Sequence, residues 1–241
     1  MRHKFGITFF KMVKNKDKKE HDSFSEVENT LTKTEQLIEE NQKTLTIVVG
    51  VIVAIVVAYL GFTRLYIHPR ETDAQEQMFM AEQYFEKDSF NLAINGDGNY
   101  LGFLDIIDEY GMTDAGNLAN YYTGISYLRL GEYDSAIDYL SSFDTEDLLL
   151  VPIVEGAKGD AYLELGETDK ALAAYKKAFK STENELTSPV YMMKAANLME
   201  SEGQLSDALK LYQDIKENYP SSAEGRNVAK YIARVEIKQS K

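Results

Sequence analysis

Two stretches of this chain spell nearly the same helical pattern 35 residues apart: GISYLRLGEYDSAIDYL, starting at Gly124, and GDAYLELGETDKALAAY, starting at Gly159. Aligned without gaps they share eight of seventeen positions, Gly124/Gly159, Tyr127/Tyr162, Leu128/Leu163, Leu130/Leu165, Gly131/Gly166, Glu132/Glu167, Asp134/Asp169 and Ala136/Ala171. A period this long marks a helix-turn-helix unit, which cannot bury its apolar face alone and must stack on copies of itself. A looser third copy, LMESEGQLSDALKLYQDIKENYP, places Gly203, Ala208 and Tyr212 37 residues after Gly166, Ala171 and Tyr175 and closes on Pro220.

The pattern has a physical reading. Glycine at Gly131, Gly166 and Gly203 lets each first helix end in a left-handed turn, and alanine at Ala136, Ala171 and Ala208 lets the second helix lie close against it. Tyr127, Tyr162, Leu140, Tyr175 and Tyr212 are the candidate core between neighbouring helices. Upstream, AEQYFEKDSFNLA places Ala81, Tyr84, Phe90 and Ala93 at the offsets of Gly124, Tyr127, Tyr133 and Ala136, which predicts a divergent fourth unit. Its second helix is interrupted by NGDGNYLG and resumes as FLDIIDEYG. The interruption is no EF-hand loop, because Tyr100 stands where glycine is needed and Ile106 where a bidentate Glu is needed. Beyond Pro220, Ser221 and Glu224 suggest a capping box, and Val228, Ile232 and Val235 one apolar face of a terminal capping helix.

These residues resemble the tetratricopeptide repeat (TPR) family. The later half of its motif, from the glycine turn through alanine and aromatic to Pro220, is present. In the opening half the usual tryptophan is replaced by Asn120, Glu155 and Met192. The resemblance implies an all-α TPR-type helical hairpin solenoid over residues 71–241, with three clear repeats, a divergent first repeat and a capping helix. It also implies a concave groove lined by the first helix of each unit. By the family's pattern the groove residues are Tyr121, Ile125, Leu128 and Arg129, then Asp160, Leu163 and Glu164, then Met193, Asn197 and Glu200. Their mixed apolar and acidic character suits an extended peptide or helix with basic character.

Ahead of the repeats stands LTIVVGVIVAIVVAYLGFT, residues 45–63, without a charge. As a helix it spans about 28 Å, close to the roughly 30 Å hydrocarbon core of a bilayer, which predicts one transmembrane helix at 45–66. It is no cleavable signal peptide, since RLYIHPRE beyond it lacks a small-x-small site. The tail at 1–44 carries nine Lys and Arg, so the positive-inside rule favours a cytoplasmic tail and external repeats, although close to the membrane Lys33 and Lys43 are matched by Arg64 and Arg70; the alternative is a C-in adaptor whose repeats recruit cytosolic proteins. Within the tail, Ser25, Glu28, Val27, Leu31 and Ile38 outline a short amphipathic helix.

Composition narrows the chemistry. Residues 71–241 hold 15 Lys and Arg against 31 Asp and Glu, which argues against nucleic acid as partner. The chain has no cysteine, and its histidines, His3, His21 and His68, lie outside the repeats, so triads, thiol nucleophiles and His- or Cys-ligated zinc are not expected there. Neighbouring carboxylates such as Asp108/Glu109 and Glu183/Glu185 read as solvated helix faces, and GDGNYLG lacks the Lys-Ser/Thr of a phosphate loop. A binding protein is expected, with no enzymatic activity, cofactor or metal; the remote alternative is an envelope hydrolase that uses carboxylates alone. The layout is similar to that of the ancillary TPR subunit of the bacterial Sec translocon. That likeness implies a protein of the bacterial inner membrane with a periplasmic repeat domain, and translocon subunits or periplasmic chaperones as partners.

Overall fold

The computed structural model describes residues 41–240, in which helices joined by loops and turns are the only regular structure, with no strand among them. They divide into two compact units after Arg64.

In the first unit, α1 (Gln42–Phe62) buries none of its residues. Its run of Val and Ile, with no polar face, supplies a window of mean hydropathy 2.8 in the one helical run among the described residues long and apolar enough to cross a membrane. The amphipathic helix expected around residues 25–38 lies outside the described residues.

The second unit begins at Leu65. Thr63–Ile67 is a π-helical turn, and α2 (His68–Glu86) follows with Pro69 in its first turn. The residues ahead of Ala74 are therefore helical. Proline suits this position because its missing N–H costs little in a first turn. The chain continues through α3 (Phe90–Asn95), α4 (Phe103–Tyr110), α5 (Asp114–Leu130), α6 (Tyr133–Ser142), α7 (Leu150–Glu164), α8 (Thr168–Ser181), α9 (Ser188–Ser201) and α10 (Leu205–Asn218). It closes with α11 (Ala223–Asn227) and α12 (Ala229–Gln239). The pairs α5/α6, α7/α8 and α9/α10 are the three expected hairpins, and each second helix also packs on the first helix of the next pair. The divergent unit is α2 with α3 and α4, the last two separated by the inserted loop.

The hairpins form for the reasons their sequence suggests. Gly131, Gly166 and Gly203 have φ of +81°, +76° and +75°, the left-handed exit that costs glycine nothing. Ala136, Ala171 and Ala208 are fully buried where the two helices meet. Gly159 is needed for a different reason: a Cβ there would lie 2.5 Å from the Tyr175 ring, so α7 and α8 could not approach as they do. Leu140, Tyr175 and Tyr212 fill the core as expected, whereas Tyr127 and Tyr162 are only half buried. In α8, Ala171, Tyr175 and Ala178 recur at helical spacing on the buried side while Lys176, Lys177 and Lys180 face solvent.

Two helix starts share a device absent from the sequence reading. Thr113 accepts from the Gly116 N–H (3.0 Å) and Ser222 from the Gly225 N–H (2.9 Å), so YGMTDAG and YPSSAEG are the same entry written twice. The terminal cap is thus Ser222 and not Ser221, whose hydroxyl stands one residue too early to reach that first-turn N–H.

Three apolar clusters result. One joins α2, α4 and α5 around Phe103 and Ile106. A small one links Leu140, Val154 and Ala157, with Tyr121, Ile125 and Leu128 packed against it. The largest runs from Ala171 to Val235 and includes the terminal helix.

Candidate protein-binding groove

The first helices of the three regular hairpins, α5, α7 and α9, line one cleft of about 550 Å³. From α5 come Ile125, Leu128 and Arg129, from α7 Ile153, Ala157, Asp160, Leu163 and Glu164, and from α9 Tyr191 and Lys194, with Tyr133 at the start of α6. A second hollow of about 370 Å³ shares Asp160, Leu163 and Lys194 and extends to Asn197, Leu198 and Ser201. The recurrence follows from the repeat: positions one period apart sit side by side on parallel helices, so Leu128 and Leu163 form a row.

Of the residues selected by sequence, Ile125, Leu128, Arg129, Asp160, Leu163, Glu164 and Asn197 border these hollows. Tyr121 is packed beneath, its ring 5.5 Å from that of Phe143, and Met193 is packed against the C-terminal cluster. Glu200 is not in the cleft. Its side chain is 4% exposed, because Arg234 (2.6 Å) and Lys238 (2.8 Å) from α12 close over it and the Tyr212 hydroxyl donates to it (3.0 Å). Burial disfavours its charge, but the hydrogen bonds from Arg234, Lys238 and Tyr212 outweigh that and hold the carboxyl at about 2. The residue that stands at the Leu128 and Leu163 position in the last hairpin is therefore a structural anion covered by the next helix.

The electrostatics at the cleft's centre are organised in the same way. Asp160 receives the Lys194 ammonium at 2.6 Å on both oxygens and the Tyr175 hydroxyl at 2.8 Å. Lys194 lies 5.8 Å and 5.7 Å from the Tyr175 and Tyr191 ring centres, within cation–π range. Burial, reinforced by the Asp160 charge, pushes the Tyr191 phenol up to about 12 and also raises the Tyr175 phenol, so both stay neutral and Tyr175 remains a donor to Asp160. Glu164 and Arg129 are exposed at the rim, and among the described residues Arg129 has no ion-pair partner.

The lining thus carries two carboxylates, Asp160 and Glu164, and two cations, Arg129 and Lys194. That corrects the expected acidic lining: Glu200 is withdrawn and Lys194 supplied. Lys194 follows Asp160 by 34 residues and Arg234 follows Glu200 by 34, so opposite charges one period apart were a legible signal for contacts between units.

Hairpins stacked so that their first helices share a cleft define a helical-repeat solenoid, a class whose concave faces serve as binding surfaces. The tetratricopeptide repeat-like domain family matches residues 76–200, more than half of the chain, and a further tetratricopeptide repeat is matched at residues 191–222. The chain belongs to the tetratricopeptide repeat-like family, whose repeats form protein-binding scaffolds. No curated protein matches it.

Proposed function

We propose that this protein is a membrane-anchored TPR scaffold that holds an extended segment of another protein in the cleft between α5, α7 and α9. The observation that carries the reading is the cleft itself, in which Ile125, Leu128, Ile153 and Leu163 offer apolar contact between two cations and two carboxylates. Such a surface suits a segment that alternates apolar and polar side chains and gains most of its affinity from the former. The ligand contacts are Ile125, Leu128, Arg129, Asp160, Leu163, Glu164 and Asn197. Tyr121 and Met193 support them from behind.

The uncharged stretch at residues 45–63 acts as the anchor, and the nine Lys and Arg of residues 1–44 favour a cytoplasmic N-terminus and an external repeat domain. With the likeness to the ancillary subunit of the bacterial Sec translocon, this supports a place at the outer face of the inner membrane. There the cleft would assist translocation, folding or assembly of envelope proteins, in company with translocon subunits or periplasmic chaperones. The proposed role is binding: residues 71–241 contain neither histidine nor cysteine, which leaves carboxylates as the basis of the remote alternative, an envelope hydrolase.

The test uses the full-length chain in detergent with labelled extended peptides taken from envelope proteins, read by fluorescence anisotropy. Leu163→Glu and Asn197→Arg weaken binding at least tenfold, whereas Lys176→Glu on the exposed side of α8 leaves it unchanged. Equal effects at all three positions would sink the groove assignment. Reporter fusions at each terminus decide the orientation separately.

A further inference from the structure

The four most exposed large apolar side chains among residues 65–240 all lie at one end of the repeat domain. They are Leu65 at 81%, Leu186 at 71%, Leu148 at 70% and Met112 at 68%, with Ile237 next at 59%. Met112, Leu148 and Leu186 sit in the three loops that lead into α5, α7 and α9, and Leu65 lies just before α2.

Hydrogen bonds show that these loops are neighbours. The Glu71 carboxylate in α2 accepts from the Ala115 N–H at the start of α5 (3.2 Å). The Asn117 amide in α5 donates to the Asp144 carbonyl before α7 (2.7 Å), and the Thr182 hydroxyl before α9 donates to the Leu148 carbonyl (2.9 Å). The loops are also braced from within. An Asp147 oxygen takes the N–H groups of Leu149 and Leu150, and the Asn184 oxygen those of Leu186 and Thr187. The leucines are therefore held outward on closed turns.

We infer that this end of the domain is a shallow lipid-contact surface, a reading that rests on residues 45–63 crossing a membrane. Single exposed leucines are ordinary on any protein, but the four most exposed lying together at one end mark an interaction surface. Lipid is the occupant because the chain reaches this same end from the uncharged stretch with only residues 64–67 between that stretch and α2. Four residues span at most about 14 Å, so the start of α2, at this end, is held near the bilayer. The exposed carboxylates of Glu146, Glu183 and Glu185 stand in the same loops and keep the contact at the headgroup boundary, since an unpaired carboxylate does not enter hydrocarbon.

The chain contains no cysteine, so single thiols can be labelled without background. Full-length Leu148→Cys and Leu186→Cys, carrying an environment-sensitive fluorophore, are reconstituted in phosphatidylcholine vesicles with a quencher at the headgroup boundary. Leu165→Cys, at the C-terminal end of α7, is the control within the domain, and Ile55→Cys reports on the anchor. The proposal expects quenching at positions 148 and 186 at least threefold above that at 165, with position 55 shielded deep in lipid. Quenching at 148 and 186 equal to that at 165, with 55 deep in lipid, overturns the proposal and leaves the end free for a protein partner. A water-exposed position 55 overturns the anchor itself, and this proposal with it.

Discussion

At the start of the repeat stack Phe85, Phe103 and Tyr122 interlock ring against ring, whereas at its far end Arg234 and Lys238 close on the buried Glu200 carboxylate. Phe103 and Tyr122 stack with ring centres 5.0 Å apart, and Phe85 meets Tyr122 edge-on at 5.0 Å. Among the described residues every ion pair falls between Glu155 and Lys238. The same hairpin frame is thus closed by apolar contact on one side and by charge on the other. Apolar closure involves no titrating group, while closure on a carboxylate is conditional on its ionisation. In a solenoid, where each unit touches only its neighbours, the two ends should respond separately.

The largest expected effect breaks the aromatic end. Phe103 is fully buried, and Phe103→Ala should cost about 3–5 kcal/mol. Hydrogen exchange should then show α3 and α4 losing protection while α9 to α12 keep theirs. Loss at both ends together would mean one cooperative unit and would erase the contrast.

Glu200→Gln attacks the other end. It removes the anion but leaves Arg234 and Lys238, both about half exposed, free to turn to water, so the cost should be about 2–3 kcal/mol and confined to α12 and its packing. Acid should reproduce this in the unsubstituted protein. The Glu200 carboxyl is held at about 2, below its ordinary 4.5, so its stabilisation is complete above about pH 4.5 and is lost as pH falls toward 2. The difference in α12 protection between the protein and its Glu200→Gln variant should therefore close over that window. A difference that persists at pH 2 would assign the clasp to packing instead of charge.

Asp160→Asn should have the smallest effect on stability, below about 1 kcal/mol, because the Asp160 and Lys194 side chains are 36% and 38% exposed. Thermal unfolding in low and high salt checks it, and a cost as large as that of Glu200→Gln would contradict the ranking.

Much of the fold was legible because repetition is a redundant signal. The glycine exits, the buried alanines and the interruption between α3 and α4 each follow from a residue whose conformational or steric property is nearly unique. The candidate site was less legible, because cleft residues are chosen by the geometry between units and not by the pattern within one. Glu200 occupies a groove position in the motif, yet among the described residues its hairpin is followed by α11 and α12, and Arg234 and Lys238 of α12 cover it. Lys194 escaped selection because its role appears only when Asp160 is placed one period away on the adjacent helix. Ser221 was preferred to Ser222 because Glu224 stands three residues after it as a capping box requires, yet the backbone brings the Gly225 N–H to the Ser222 hydroxyl.

The cleft between the two ends is where the account stands or falls. The most direct measurement places a photoreactive side chain at Leu163 or Asn197, with Lys176 as control, in the full-length chain in living cells, and identifies crosslinked proteins by mass spectrometry. The account predicts that positions 163 and 197 capture the same envelope proteins or translocon subunits and that position 176 does not. The same capture from all three positions, or capture of cytosolic proteins alone, would contradict it.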